Sequence, residues 1–100
     1  MRIYISTSDR KKVEVALISG KDRIDVLSEE NEFGSQVLLP LIEKIMRRNN
    51  LGYEALEAVD LDTGFGSFTG LRVGASVANA LGFGLKIPVN GKKVETDLKY

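Results

Sequence analysis

A long stretch of small, uncharged residues puts the strongest limit on how this chain can fold. Residues 64–85 begin GFGSFTGLRVG, and Arg72 is the only charged residue in the whole stretch. Small residues recur there at every fourth position, at Gly70, Gly74, Ala78 and Gly82. On a helix this spacing makes one smooth ridge. Because each glycine inside a helix costs about 0.8–1 kcal/mol relative to alanine, we expect close packing against a neighbour to compensate.

The predicted helix over residues 69–85 is apolar on every side, which indicates that it is covered on every side. A chain of 100 residues has few elements that could cover it. Two interpretations therefore stand side by side: an ordinary core helix, or a helix partly buried by another subunit. Under the second interpretation, the contact residues on this helix are predicted to be Gly70, Leu71, Gly74, Val77, Ala78 and Leu81.

An earlier segment, residues 33–48, has the apolar spacing of a second helix. Its apolar positions follow a repeat of about 3.6 residues, and Arg47 and Arg48 lie in the last turn, where cations suit the helix dipole. Pro40 predicts a bend inside this helix, since proline removes one backbone hydrogen bond. Two such helices side by side would present a surface suited to a subunit interface. The predicted contact residues here are Phe33, Val37, Leu38, Leu41 and Ile45.

The remaining segments predict strands. RIYIST, KVEVALIS and RIDVLS alternate apolar and polar residues and are separated by turn signals, so we expect a three-stranded antiparallel meander. EAVDLDT and KIPVN predict a fourth and a fifth strand, parallel to each other because a helix links them. The predicted order is β-β-β-α-β-α-β, an α/β fold with a mixed sheet and two main helices side by side. Residues 1–90 form one domain, and residues 91–100 form a polar tail.

The composition excludes several classes of site. Acidic and basic residues are equal at 14 each, which leaves no electrostatic footprint for nucleic acid or an anionic membrane. The chain has no histidine and no cysteine, so the commonest general base and metal ligand are missing, and disulfides are excluded. The segment MRIYISTSDRKK has no apolar core of signal-peptide length, so we expect a cytoplasmic protein without a membrane partner.

The glycine loop before the second helix is a candidate anion site. Glycines allow a sharp strand-to-helix turn, and the N–H groups at the start of a helix attract anions. The loop lacks the Walker lysine and the G-x-G-x-x-G spacing, so this interpretation is weaker than a plain tight turn. Arg72 either pairs with Asp60 or Asp62 or contacts an acidic group on a partner. The candidate residues are Gly64, Gly66, Ser67, Phe68, Thr69 and Arg72.

The same motif resembles a known family. GFGSFTGLRVG is similar to the G-P-G-S-F-T-G-L-R-I-G signature of the TsaB family, also called YeaZ, and differs from it at Phe65 and Val73. FGSQVLLPLIEKI resembles the first helix of that family, although Gly34 stands where a histidine is usual. ANALGFGLKIPV resembles its A-x-G-L-A-x-G-L-x-I-P-V segment. The likeness covers roughly residues 1–90.

The resemblance implies an actin-like (ASKHA, ribonuclease H-like) lobe. Members of the family usually carry a second lobe of similar size and are regarded as non-catalytic. They pair through their two amino-terminal helices with the related subunit TsaD during synthesis of threonylcarbamoyladenosine on tRNA. The resemblance also implies homodimers when a member is alone, a TsaE-like ATPase as a further partner, and ATP or ADP bound only through a partner.

One departure from the family concerns nucleotide chemistry. The first strand of the family usually ends in D-T-S-T, whereas this chain has ISTSD, with Ser6 in place of the aspartate. Three hypotheses therefore remain for this chain. It is a non-catalytic docking lobe, a nucleotide- or anion-binding fragment that uses the loop at residues 64–70, or an ordinary α/β domain whose glycines serve its own core.

Overall fold

The part of the chain that the computed structural model describes forms a four-stranded mixed sheet and two α-helices. The structure describes residues 1–7, 12–30, 37–62 and 68–91, with the backbone alone for residues 68–73. In chain order its elements are β1 (Arg2–Ser6), β2 (Lys12–Ser19), β3 (Asp22–Glu30), α1 (Leu38–Arg48), a 3-10 turn (Tyr53–Ala55), β4 (Ala58–Leu61) and α2 (Phe68–Leu85). The order confirms the α/β prediction as far as the second helix.

The sheet has the strand order β3-β2-β1-β4. β1 pairs antiparallel with β2, and β2 pairs antiparallel with β3, so the predicted meander is confirmed. Ser19 pairs with Asp22 across a two-residue loop, in which Gly20 has a φ of +61°. Glycine takes this left-handed conformation without the steric penalty of a side chain. β4 lies parallel to β1 on the other side, with Ile3 opposite Val59.

The predicted fifth strand is present as one parallel bridge, between Val59 and Val89. Val59 N–H donates to the carbonyl of Pro88 at 2.9 Å, and Asn90 N–H donates to the carbonyl of Val59 at 2.8 Å. The Asn90 side chain then replaces a strand, because its Oδ1 accepts from Leu61 N–H at 2.7 Å and its Nδ2 donates to Leu61 O at 3.1 Å. The parallel direction is confirmed, while an amide side chain does the pairing that a longer strand was expected to do.

The core lies on one face of the sheet. Ile3 and Ile5 are fully buried, while Arg2, Tyr4 and Ser6 alternate with them and are partly exposed on the other face. α1 packs over β2 and β3, and α2 packs over β4 and β1. The sheet contributes Ile3, Ile5, Val13, Val15, Leu17 and Val59 to the core, and α1 contributes Leu38, Leu41, Ile42, Ile45 and Met46.

The start of α1 differs from the prediction. The helix begins at Leu38 rather than at residue 33, and residues 31–36 lie outside the described part of the chain. Pro40 is therefore the third helical residue. Its missing N–H falls in the first turn, where N–H groups have no partner within the helix, so no backbone bond inside α1 is lost and no bend is required.

A polar cluster fixes the end of α1 to β3. Arg48 Nε donates to Asp25 Oδ2 at 2.8 Å and its Nη2 contacts Asp25 Oδ1, so the pair is bidentate. Asn49 Nδ2 bridges Asp25 Oδ2 and Ile45 O, each at 2.8 Å. Hydrogen bonds from Arg48 and Asn49 lower the pKa of Asp25 from 3.8 to about 2. The ionised carboxylate is thus stabilised in the folded chain.

We predict that acid removes the contribution of Asp25 to stability. A carboxyl whose pKa is lowered by folding stabilises the fold above its ordinary pKa, here 3.8, and loses this contribution as the pH falls towards 2. Urea unfolding of the wild type and of Asp25→Asn, measured from neutral to strongly acidic pH, tests this. The stability difference between them should be largest at neutral pH and shrink through that window. A difference that does not change with pH would contradict the assignment.

Candidate functional site

The carboxyl ends of β1 and β4 meet at one end of the sheet, where Gly74 of α2 packs against Thr7 and Leu61. Ser6 Oγ donates to Asp62 Oδ2 at 3.0 Å, and Asp62 N–H donates to the carbonyl of Ile5 at 2.9 Å. Thr7 is almost fully buried beside them. Residues 63–67, with Gly64, Gly66 and Ser67, lie outside the described part, as do the side chains of residues 68–73. The anion-site prediction, including Phe68, Thr69 and Arg72, is therefore untested.

The carboxylates of Asp60, on β4, and of Asp62, just after it, each accept a hydrogen bond from a side chain of β1. Asp60 Oδ2 accepts from Arg2 Nη1 at 2.9 Å, while Asp62 accepts from Ser6. Within residues 1–7, 12–30, 37–62 and 68–91, no group of three acidic, histidine or cysteine side chains could hold a metal ion. Through their hydrogen bonds to Arg2 and Ser6, Asp60 and Asp62 help to hold β4 beside β1.

The small-residue ridge of α2 faces the sheet of this chain. Gly74 is buried, and a Cβ built on it would overlap Thr7 Oγ1 and lie 3.1 Å from Leu61 Cδ1. Ala78 is fully buried in the core, and Gly82 is buried as well. The compensation expected for the helical glycines thus comes from close approach to β1 and β4. Gly74 and Ala78 were predicted as partner contacts under one of the two interpretations. In the structure they lie inside the chain, where the sheet and the core already cover them.

The contact residues predicted on α1 also point inward. Leu38 and Ile45 are fully buried and Leu41 is 5% exposed, because the apolar stripe of an amphipathic helix packs on its own sheet. Val37 is half-buried, and Phe33 lies outside the described residues. Leu38, Leu41 and Ile45 therefore orient α1 but present little surface to another molecule.

Among the described residues, the large apolar side chains that the two helices expose are not ones predicted as partner contacts. Leu39 of α1 is 54% exposed and Phe83 of α2 is 51% exposed. Val77 and Leu81 are half-buried at the border of the core. We define the outer face of α2 as Ser76, Asn79, Ala80 and Phe83, which are spaced by three or four residues on the side away from the ridge. None of these residues is charged.

The sequence carried a signal for this outer face. Phe83 does not belong to the every-fourth-residue ridge, and Leu39 does not belong to the stripe that contains Leu38 and Ile45. An apolar side chain that lies outside the inward stripe of a helix is expected to be exposed.

Among the described residues, no helix is long and apolar enough to cross a membrane.

A comparison with protein families decides the relationship. The model of the family TsaD, described as tRNA N6-adenosine threonylcarbamoyltransferase, matches residues 32–91. The chain belongs to this family. Its match contains α1, β4, α2 and the bridge at Val89, so it spans both helices and the glycine loop between them.

The individual relatives include both TsaB and tRNA N6-adenosine threonylcarbamoyltransferase proteins. The chain is 35% identical over 75 residues to the tRNA threonylcarbamoyladenosine biosynthesis protein TsaB of Haemophilus influenzae. The aligned residues make up 75% of this chain and 32% of that protein. It is 48% identical over 54 residues to a tRNA N6-adenosine threonylcarbamoyltransferase of Nitrosospira multiformis. Here the aligned residues make up 54% of this chain and 16% of that protein. The chain therefore spans about a third or less of the length of these curated relatives.

Solved structures agree with the sequence relatives. YeaZ from Pseudomonas aeruginosa superposes with a TM-score of 0.80 and 27% identity over 88% of this chain and 42% of that one. The resemblance to TsaB and YeaZ is thus confirmed, and so is the actin-like, ribonuclease H-like α/β fold.

We predict opposite effects of the same substitution at two glycines of α2. Gly74→Ala should destabilise the chain by about 1–3 kcal/mol, since the added methyl group would overlap Thr7 and press on Leu61. Gly84→Ala should be neutral or stabilise by up to about 1 kcal/mol, because nothing lies within 4 Å of its Cβ position and alanine favours helix. Urea unfolding measures both. Equal effects at the two positions would contradict the inward direction of the ridge.

Proposed function

We propose that this chain is a non-catalytic docking lobe in the threonylcarbamoyladenosine modification of tRNA. Its partner in this proposal is a TsaD-like subunit, and a second copy of the chain takes that place when it is alone. The observation that carries the proposal is the uncharged outer face of α2 with Phe83 half exposed at its end. The family match and the TsaB and YeaZ relatives support the process to which it contributes.

The chemistry of the outer face favours a protein partner. An aromatic side chain gains about 1.5–3 kcal/mol when it passes from full exposure to full burial, so Phe83 is suited to anchor an interface. Ala80 and Gly84 beside it are small and exposed, which allows a partner backbone to approach closely. Leu39 adds a second exposed apolar side chain on α1.

The residue inventory supports an accessory rather than a catalytic role. The chain has neither a histidine nor a cysteine, so the usual general base and thiolate nucleophile are missing from it. Ser6 stands at the end of β1 and hydrogen-bonds to Asp62. In this proposal ATP or ADP is handled by a partner, with a TsaE-like ATPase as a further component, and the assembly acts on tRNA in the cytoplasm.

Replacing Phe83 tests the docking role. We predict that Phe83→Lys weakens binding to purified TsaD at least about tenfold, a loss of about 1.4 kcal/mol, because it puts a charge into the apolar contact. Titration calorimetry measures the affinity. Tyr53→Lys is the matched control, since it changes an aromatic residue that is 37% exposed and outside both helices. Wild-type affinity in Phe83→Lys, or equal losses in the two variants, would refute the proposed face.

An anion-binding role is the second candidate. The carboxyl ends of the parallel strands β1 and β4 lie together, which is where α/β sheets bind ligands, and α2 packs there through Gly74. This proposal adds the N–H groups at the start of α2, since such groups attract anions. This role predicts heat on titration of the chain with ADP and magnesium. The docking proposal predicts none with the chain alone and places any nucleotide on the partner. Calorimetry at millimolar ligand decides between them.

A further inference from the structure

The second feature of functional interest is the open edge of the sheet. β3 is nine residues long and, among the described residues, pairs with β2 alone. It carries two exposed apolar side chains, Ile24 and Val26. The free N–H and C=O groups of a long edge strand are a template on which another strand can pair. Some device must therefore keep this edge from binding a second chain.

Side chains occupy the backbone polar groups of β3 at its centre. Val26 N–H donates to Asp25 Oδ1 at 2.9 Å, and Val26 O lies 3.4 Å from Arg48 Nη2. In an antiparallel strand the N–H and C=O of one residue point to the same side. At Val26 that side is taken by the Asp25 and Arg48 side chains.

The same side chains are held in place by α1. Arg48 grips both carboxylate oxygens of Asp25, and Asn49 Nδ2 adds a hydrogen bond of 2.8 Å to Oδ2. Charge-assisted and bidentate hydrogen bonds of this kind are among the strongest that side chains make. Asp25 and Arg48 are therefore positioned at the edge by the end of the helix rather than free to swing away from Val26.

We propose that the cluster of Asp25, Arg48 and Asn49 closes the β3 edge against pairing with β3 of a second copy of this chain. An isologous antiparallel pair with its two-fold axis at Val26 would place Arg23 of each copy opposite Glu29 of the other. The opposite charges of Arg23 and Glu29 favour this register. At the strand ends Asp22 would face Glu30, and these like charges disfavour it. The zero net charge of the chain adds little long-range repulsion between copies.

Closing this edge would separate the two ways in which copies can meet. Docking through the outer face of α2 uses side chains, whereas pairing through β3 would join the sheets of two copies through backbone hydrogen bonds. The cluster thus leaves the helical face as the surface for association. It does so at the one central residue of β3 where an incoming strand would form its first pair of hydrogen bonds.

A single introduced thiol reports on pairing at this position. The chain has no cysteine, so Val26→Cys creates its one thiol. In the two-fold pair the Cα atoms of residue 26 would be about 5.5 Å apart, within the range of about 4.4–6.8 Å that a disulfide spans. We predict that Asp25→Ala/Val26→Cys forms the covalent dimer at least about tenfold faster than Val26→Cys under a mild oxidant, because the hydrogen bonds that occupy the edge are gone.

The control removes an ion pair on the same helix but away from the edge. Glu43 pairs with Arg47 on the exposed side of α1, so Glu43→Ala/Val26→Cys should cross-link as slowly as Val26→Cys. Arg48→Gln/Val26→Cys opens the edge by a second route and should match the Asp25 variant. Circular dichroism checks that each variant is folded at the assay temperature. If one of the two edge-opening variants unfolds, the cross-linking rate of the other is compared with that of Val26→Cys. Rates equal to those of Val26→Cys, or fast cross-linking by Val26→Cys itself, overturn the proposal.

Discussion

The close approach of α2 to the sheet determines most of what this chain can do. The helix reaches β1 and β4 because Gly74 has no Cβ, and Ala78 continues the contact in the core. Close packing at these positions offsets the conformational cost of helical glycine. Once the small-residue ridge is turned inward, the opposite side of the same helix, which is uncharged from residue 73 to residue 85, must face outward. Phe83 and its neighbours are therefore exposed as a consequence of how Gly74 packs.

Sequence patterns predicted the elements well and their neighbours poorly. Period-two alternation identified the three-stranded meander, and the uncharged run identified α2 within one residue of its observed start. A four-residue spacing says which residues share a side of a helix but not what that side touches. The spacing of Gly74 and Ala78 therefore allowed either a core helix or a partner contact, and the structure places Gly74 against Thr7 and Ala78 in the core. Leu38 and Ile45 were also predicted as partner contacts, and they are fully buried in the core.

Two further differences arise from contacts that local patterns do not contain. Asn90 pairs with Leu61 through its side-chain amide, 29 residues away, so the fifth strand shortens to a bridge at Val89. The first helix starts at Leu38, which places Pro40 in a turn where its missing N–H has no cost. The candidate site could be predicted to the level of the helix but not to the level of the exposed side chains.

The family relationship and the physical account support each other at α2. Membership rests on a match over residues 32–91, which contains both helices, and the chain covers about a third of its TsaB relative. Hydrogen–deuterium exchange with and without TsaD tests the docking claim most directly. Backbone amides of α2 from residue 74 to residue 85 should gain protection in the complex while those of β2 and β3 stay unchanged. Unchanged exchange in α2 with new protection elsewhere would contradict the account.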